Sequence, residues 1–168
     1  MTTRDRAMEL AAKALARVLL PFAQLNAPGH ARHVACQWAL GMRFPKEDLT
    51  GLTAATYAAF TTARTEAFWR DGQLIGLTSG HRDAAVQHRM YIEDLRRPGL
   101  TTVLHPAESQ HVRGTAMDIR PREGARWMEE NGERYKLYRT YDNEWWHFEY
   151  RQRRPERLPY PGAVRAYK

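Results

Sequence analysis

The sequence predicts an α+β fold in which a small antiparallel sheet is flanked by helices. Three observations predict this class. The 168 residues suit one domain with a buried core. Helical segments come first, and most of the candidate strands cluster in the last third of the chain. The last of them, Trp145 to Arg151, alternates its side chains between two faces, as a strand that covers a core does.

The first 45 residues are expected to form short helical pieces separated by turns. The residues that interrupt this part of the chain are Pro21, the Pro28-Gly29 pair and Pro45. Residues 5 to 20 have the pattern of an amphipathic helix, and packing against the domain explains it better than binding to a membrane surface. The apolar residues expected to make this packing are Leu10, Leu15, Val18 and Leu19.

The middle of the chain is expected to form a helix, a strand and a second helix. A capping threonine, Thr50 or Thr53, and frequent alanines predict a helix over Leu49 to Trp69, which the Asp71-Gly72 turn ends. The strand and the second helix that follow are Gln73 to Thr78 and Asp83 to Arg97.

The last third supplies most of the expected sheet. Its strands are Gly114 to Arg120, Tyr135 to Tyr141 and Trp145 to Arg151, with a short helix that ends at Asn131-Gly132 between the first two. Residues three apart lie on opposite faces of a strand, so Glu144 can join His147 only from a turn that precedes the last strand.

Composition and charge exclude some classes of protein and leave others open. With 43% hydrophobic and 27% charged residues, the chain is neither a disordered nor a fibrous protein. The formal charge of +7 favours a polyanionic neighbour, which nucleic acid, an anionic membrane and the bacterial cell wall all provide. The apolar stretch from Ala14 to Leu25 contains Arg17 and Pro21, so we recognise no signal peptide and no membrane span.

Cysteine and histidine content restricts the kinds of metal site. Cys36 is the one cysteine, so any zinc must be bound mainly by histidine and carboxylate groups. Four histidines have no acidic partner at a metal-binding spacing and are not expected to be ligands; they are His30, His33, His88 and His105.

Two segments combine histidine with carboxylate. In the first, Ser109 to Asp118, Gly114 permits a tight turn after His111, and Ala116 and Asp118 share a strand face. The second is Glu144-Trp145-Trp146-His147. Two histidines and one carboxylate would leave a fourth zinc position for water, and the other acid could move protons during hydrolysis. On spacing alone, scattered surface charges remain an equally good explanation.

A family resemblance favours the metal site. The first segment resembles the pattern S-x-H-x-x-G-x-A-x-D, and the second resembles E-x-x-H, of the zinc D-alanyl-D-alanine peptidases of the VanY and VanX kind. Upstream, Ser79-Gly80-His81-Arg82 followed by Gln87 resembles the S-G-Y-R motif of the carboxypeptidase branch. The resemblance implies one peptidase domain over residues 1–168, with a zinc DD-peptidase or hedgehog-type fold, a helical segment over 1–45 and a catalytic core over 46–168.

The same resemblance implies a role for each motif residue. One zinc ion would be bound by His111, Asp118 and His147, with Glu144 as the catalytic acid and base. Arg82 would bind the terminal carboxylate of the substrate, to which its planar donor fork is suited. Ser109 would lie near the substrate, and Gln87 would support the arginine.

The resemblance leaves the substrate open. The expected activity is that of a D,D-carboxypeptidase acting on peptidoglycan stem peptides. However, His81 stands where that branch has tyrosine and Trp145 where it often has proline, and Glu-Trp-Trp-His is closer to the dipeptidase branch, which splits free D-Ala-D-Ala. A phage-type endopeptidase that cuts between L-Ala and D-Glu and a non-catalytic cell-wall-binding module are further alternatives.

Partners and location follow from these expectations. The C-terminal arginines lie among prolines, with no recognition-helix pattern, so nucleic acid is not an expected partner; they are Arg151, Arg153, Arg154 and Arg157. We expect a monomer that is synthesised in the cytoplasm and acts on the cell wall, through phage lysis or non-classical export.

Overall fold

The computed structural model describes residues 3–99 and 102–163. In these two ranges the elements follow one another as α1 (Thr3–Asn26), α2 (Ala31–Arg43), α3 (Ala54–Asp71), β1 (Gly76–Ser79), α4 (Ala84–Leu95), β2 (Ala116–Arg120), α5 (Arg122–Asn131), a 3-10 turn (Gly132–Tyr135), β3 (Leu137–Arg139) and β4 (His147–Tyr150). The strands form an antiparallel sheet in the order β1-β2-β4-β3. The α+β class with a small antiparallel sheet is therefore confirmed.

The sheet separates a core from a polar face. In β2, Met117 and Ile119 are fully buried and belong to the main core, whereas Asp118 points to the opposite face because side chains alternate along a strand. In β4, Phe148 belongs to the same core. Phe60 of α3 belongs to it too, as do residues of α5. One face of the sheet is thus covered by helices, and the other is available for a site.

The N-terminal helices pack through small residues. Ala12 and Ala16 of α1 lie in one buried cluster with residues of α2, and Ala23 lies in a second. Leu15 and Leu19 pack against these clusters as expected. The prediction that Leu10 and Val18 also pack on the domain is wrong.

The side chains of Leu10 and Val18 are 67% and 63% exposed. They lie on the side of α1 opposite the alanines that contact α2, because two helical positions correspond to about 200° of rotation. No helix in the described part of the chain combines the length and apolar character that crossing a membrane requires.

Helix α1 also differs from the expected short pieces, since it continues through Pro21 to Asn26. Alanines on both sides of the proline, Ala16 and Ala23, pack into buried clusters, and this packing stabilises a continuous helix across it. The expected division near residue 45 stays a prediction.

Several element boundaries lie inside the expected ones. Helix α3 begins after Thr53, whose hydroxyl accepts a hydrogen bond from the backbone N–H of Thr56 at 3.2 Å, and it ends at Gly72 with φ +64°. The preceding residues from Leu49 onward are not helical, although Leu49 packs on the core from its loop. Asp83 caps α4 through its side chain.

The strands are shorter than expected for local reasons. Tyr135 belongs to the 3-10 turn rather than to a strand, so β3 begins at Leu137. Trp145 and Trp146 lie in a turn rather than in the last strand, which begins at His147. The first two strands begin at Gly76 and Ala116.

Candidate metal centre

Three side chains converge on the polar face of the sheet. Nε2 of His111 lies 3.2 Å from Nδ1 of His147, and these two nitrogens lie 3.4 Å and 3.3 Å from Oδ1 of Asp118. Ligand atoms at about 2.0–2.1 Å from a tetrahedral metal ion are about 3.3 Å apart. The three donor atoms therefore form a group that can hold a metal ion, with at least one coordination position left open.

The sheet register brings two of these residues together. Asp118 of β2 and His147 of β4 are directly paired across the strands, so their side chains project side by side. Ser79 at the end of β1 pairs with Asp118 from the other side, which places the following residues, Gly80 to Arg82, at the same edge of the site.

His111 comes from a loop that packs tightly on the segment before α3. Gly114 has φ +68°, and a Cβ at that position would lie 2.2 Å from the backbone oxygen of Gly51. Only glycine fits there without displacement of the loop. The backbone oxygen of Gly114 also accepts a hydrogen bond from the N–H of Thr53 at 3.0 Å. Gly114 therefore fixes the position from which His111 reaches the site.

Each histidine has an acceptor on the ring nitrogen that faces away from the group. Nδ1 of His111 lies 2.7 Å from the backbone oxygen of Gly80, and Nε2 of His147 lies 3.2 Å from Oε1 of Glu149. When the ring is neutral, as a metal ligand must be, an N–H that donates to these oxygens leaves the opposite nitrogen with its lone pair toward the group.

The charges of the group are strongly coupled. Burial opposes ionisation of Asp118, but hydrogen bonds from His111 and His147 outweigh it and hold the pKa of Asp118 well below its usual range. Burial lowers the pKa of His147, but hydrogen bonds to Asp118 and Glu149 outweigh that effect and raise its pKa to about 9. The site is thus arranged to stabilise positive charge beside Asp118.

Glu144 lies beside the three donors without belonging to the group. It sits in the turn before β4, as its spacing from His147 requires, and its Oε2 is 3.8 Å from Nδ1 of that histidine. Burial raises the pKa of Glu144. A carboxyl group with a raised pKa takes up and releases a proton more readily near neutral pH, as general acid–base catalysis requires.

The remaining residues predicted from sequence surround the same cavity, which has a volume of about 210 Å³. Nη1 of Arg82 donates to Oε1 of Gln87 at 2.7 Å, and Nε2 of Gln87 donates to the backbone oxygen of Leu104 at 2.8 Å. Nη2 of Arg82 is 3.9 Å from Oδ2 of Asp118. Ser109 is buried in the wall of the cavity.

Two further residues at the site had no predicted role. Glu149 contacts His147, and its position two residues further along the strand was the available signal, because alternation puts both on one face. Tyr141 packs its ring 5.1 Å from the ring of His147 and lines the cavity. Its contact depends on how the turn that carries Glu144 folds back on the sheet, and no local pattern indicates that. The four histidines not expected to be ligands, His30, His33, His88 and His105, lie outside the group.

Comparison with known proteins finds similarity to solved structures. No family model and no curated protein matches the chain. A solved structure does, that of a mutant of the vancomycin resistance D,D-pentapeptidase VanY from a VanB-type resistance cassette, in complex with Zn(II). The match has 23% sequence identity and a TM-score of 0.51 and covers 62% of this chain and 76% of that chain. The resemblance that the motifs indicate therefore extends to the three-dimensional fold.

Proposed function

We propose that the chain is a zinc-dependent peptidase of peptidoglycan that acts as a D,D-carboxypeptidase on stem peptides. The observation that carries the proposal is the convergence, in one cavity, of three metal donors, a separate carboxylate and a fixed guanidinium. The zinc-containing structure that shares the fold supports it.

The donor set suits zinc. Imidazole nitrogen and carboxylate oxygen are common zinc ligands, and three protein donors with an open position are typical of catalytic rather than structural sites. His111, Asp118 and His147 would hold one ion. When bound, the zinc ion would polarise the scissile carbonyl and lower the pKa of a water molecule.

Glu144 supplies the proton transfer. Its carboxylate is close enough to the donors to take a proton from the attacking water, and it then delivers that proton to the nitrogen of the leaving amine. Its raised pKa makes it a stronger base for the first of these transfers. Because water is the nucleophile, no covalent bond between enzyme and substrate forms.

Arg82 selects the chain end. Its guanidinium presents two parallel donors that fit a carboxylate, and Gln87 fixes its orientation. The separation of 3.9 Å between Arg82 and Asp118 leaves little room between the bound carboxylate and the metal group. A substrate held in this way would be cut close to its C-terminus, which favours removal of a single terminal D-alanine.

The decisive experiment is digestion of purified peptidoglycan and, separately, of free D-Ala-D-Ala, with products identified by mass spectrometry. Loss of one alanine from pentapeptide stems supports the proposal. Cleavage of the free dipeptide alone, or between L-Ala and D-Glu, would replace it with the dipeptidase or endopeptidase alternative. Binding to cell wall without any product from the zinc-loaded protein would favour a non-catalytic binding module. The control is Glu144→Gln, since it removes the proton carrier and leaves the three donors in place.

We also propose that the protein acts at the cell wall. The formal charge of +7 would favour approach to anionic wall polymers. Unchanged binding to walls stripped of these polymers would contradict this part of the proposal.

A further inference from the structure

Glu149 is a buried carboxylate that the proposed reaction does not use. It is 1% exposed. Its Oε1 lies 3.2 Å from Nε2 of His147, and its Oε2 accepts a hydrogen bond from Nε of Arg151 at 2.7 Å and forms an ion pair with Nη2 of the same arginine at 2.6 Å. Both oxygens therefore have partners, and the carboxylate has a fixed orientation.

The fold makes space for this carboxylate on the side of β2. Strand alternation places His147 and Glu149 on one face of β4, and Glu149 pairs with Tyr138 on β3 and with Ala116 on β2, whose methyl group occupies little of the polar face. A buried carboxylate is costly unless it is paired. Here Glu149 is paired on one side with Arg151, which reaches the solvent. On the other side it contacts Nε2 of His147, the ring nitrogen that faces away from the metal group.

The two histidines of the group present different nitrogens. His111 points Nε2 at Asp118 and has Nδ1 against the backbone oxygen of Gly80, whereas His147 points Nδ1 at Asp118 and has Nε2 against Glu149. A neutral imidazole carries one N–H, so the acceptor behind each ring determines which nitrogen keeps its lone pair. For His111 that acceptor is backbone, but for His147 it is a side chain that can be replaced.

We propose that Glu149, held by Arg151, is a positioning residue that fixes the tautomer and ring orientation of His147 so that Nδ1 is presented to the metal ion. This inference rests on the metal site of the proposed function. Without the carboxylate, the Nδ1–H tautomer of His147 becomes accessible, and that tautomer offers no lone pair to the group. The negative charge of Glu149 also makes the imidazole a stronger donor.

The test measures zinc affinity rather than activity. The zinc dissociation constants of wild type, Glu149→Ala and Glu149→Gln are determined by competition with a chromophoric chelator. We expect Glu149→Ala to weaken zinc binding on the order of 10- to 100-fold. Glu149→Gln should recover part of the loss, because its amide oxygen can accept from Nε2–H without the charge. Long-range ¹H–¹⁵N spectra of the zinc-free proteins, recorded above the His147 pKa of about 9 so that the imidazole is neutral, should show His147 protonated at Nε2 in the wild type and a tautomer mixture in Glu149→Ala.

A matched control separates positioning from general loss of stability. Glu47 is a similarly buried carboxylate paired with an arginine, Arg64, away from the metal donors. Glu47→Gln should destabilise the fold and leave the zinc affinity of the folded protein unchanged. If Glu149→Ala does not fold, Arg151→Gln replaces a side chain that is 39% exposed and should still weaken zinc binding, by a smaller factor.

The outcomes distinguish this inference from the function on which it rests. A folded Glu149→Ala protein with wild-type zinc affinity and an unchanged His147 tautomer would overturn the inference alone. So would wild-type affinity in Arg151→Gln, if that is the variant available. Failure of the wild-type protein to bind one zinc ion would overturn the proposed function itself.

Discussion

Nε2 of His111 and Nδ1 of His147 face each other at 3.2 Å, and both are within 3.4 Å of the same oxygen of Asp118. Two imidazole nitrogens that both present lone pairs repel each other at this distance unless a proton or a metal ion lies between them. The geometry therefore makes the two histidines interdependent, and the first prediction follows from this dependence.

Removal of either histidine should abolish tight metal binding, whereas removal of Glu144 should not. We expect His111→Ala and His147→Ala to lose stoichiometric zinc, as measured by elemental analysis after dialysis. Glu144→Gln should retain one zinc and lose peptidase activity about 100- to 10,000-fold, because the proton transfer has no carrier. Addition of a chelator should abolish the wild-type activity, and zinc should restore it. Full turnover by Glu144→Gln would contradict the assignment.

Replacement of Arg82 should affect substrates according to their C-terminus. Arg82→Ala removes a charged hydrogen-bonding partner, so kcat/KM for peptides with a free carboxylate should fall roughly 10- to 100-fold. Arg82→Lys keeps the charge without the planar fork and should restore part of the loss. The same peptides with an amidated C-terminus serve as the control. An equal loss on both sets would show that Arg82 does not bind the carboxylate.

The Gly114 loop should tolerate no side chain. Gly114→Ala forces a left-handed backbone on alanine, at about 1–2 kcal/mol, and places a methyl group against the backbone of Gly51. We expect a lower urea midpoint and weaker zinc binding, because the displaced loop carries His111. Gly41→Ala is the control, since Gly41 is in helix α2 and a Cβ there would meet nothing within 4 Å. It should leave zinc binding unchanged and raise stability by roughly 0.5–1 kcal/mol.

The site was more predictable from sequence than the limits of the elements were. His111 and Asp118 lie in one continuous motif, and strand alternation required Glu144 to precede the strand of His147. Spacing alone left surface charges as an equally good explanation, and the family resemblance grouped these residues. The course of α1 through Pro21 was not predictable, because it depends on packing against α2, a contact between distant parts of the chain. The contact between Tyr141 and His147 likewise depends on how a turn folds back on the sheet.

A buried ion pair links the segment after α2 to both α3 and the sheet. Nη1 of Arg64 is 2.6 Å from Oε2 of Glu47, and Oε1 of Glu47 accepts from the backbone N–H of Leu77 at 2.7 Å. Glu47→Gln leaves the arginine charge buried without a counter-charge, so we expect a loss of about 3–5 kcal/mol in the free energy of unfolding, measured with urea.

The control for this pair is an ion pair nearer the surface. Glu9 lies 3.6 Å from Lys13, one helical turn away on α1, and both side chains are partly exposed. Glu9→Gln should change the free energy of unfolding by less than about 0.5 kcal/mol. Similar losses for the two variants would show that the buried pair has no special contribution.

The thiol of Cys36 should be unreactive toward alkylating reagents in the folded protein. Cys36 lies on α2, fully buried in a cluster with residues of α1 and α3, and burial raises the pKa of its thiol to about 12. At pH 8 about one thiol in 10,000 is then ionised, against roughly a quarter for an ordinary thiol with a pKa near 8.5. Because the thiolate is the reactive form, labelling by iodoacetamide should be about 2,500-fold slower than in concentrated urea. Cys36 lies outside the metal group, so thiol reagents should also leave zinc content unchanged. Rapid labelling of the native protein, followed by mass spectrometry, would contradict the burial of Cys36 in this cluster.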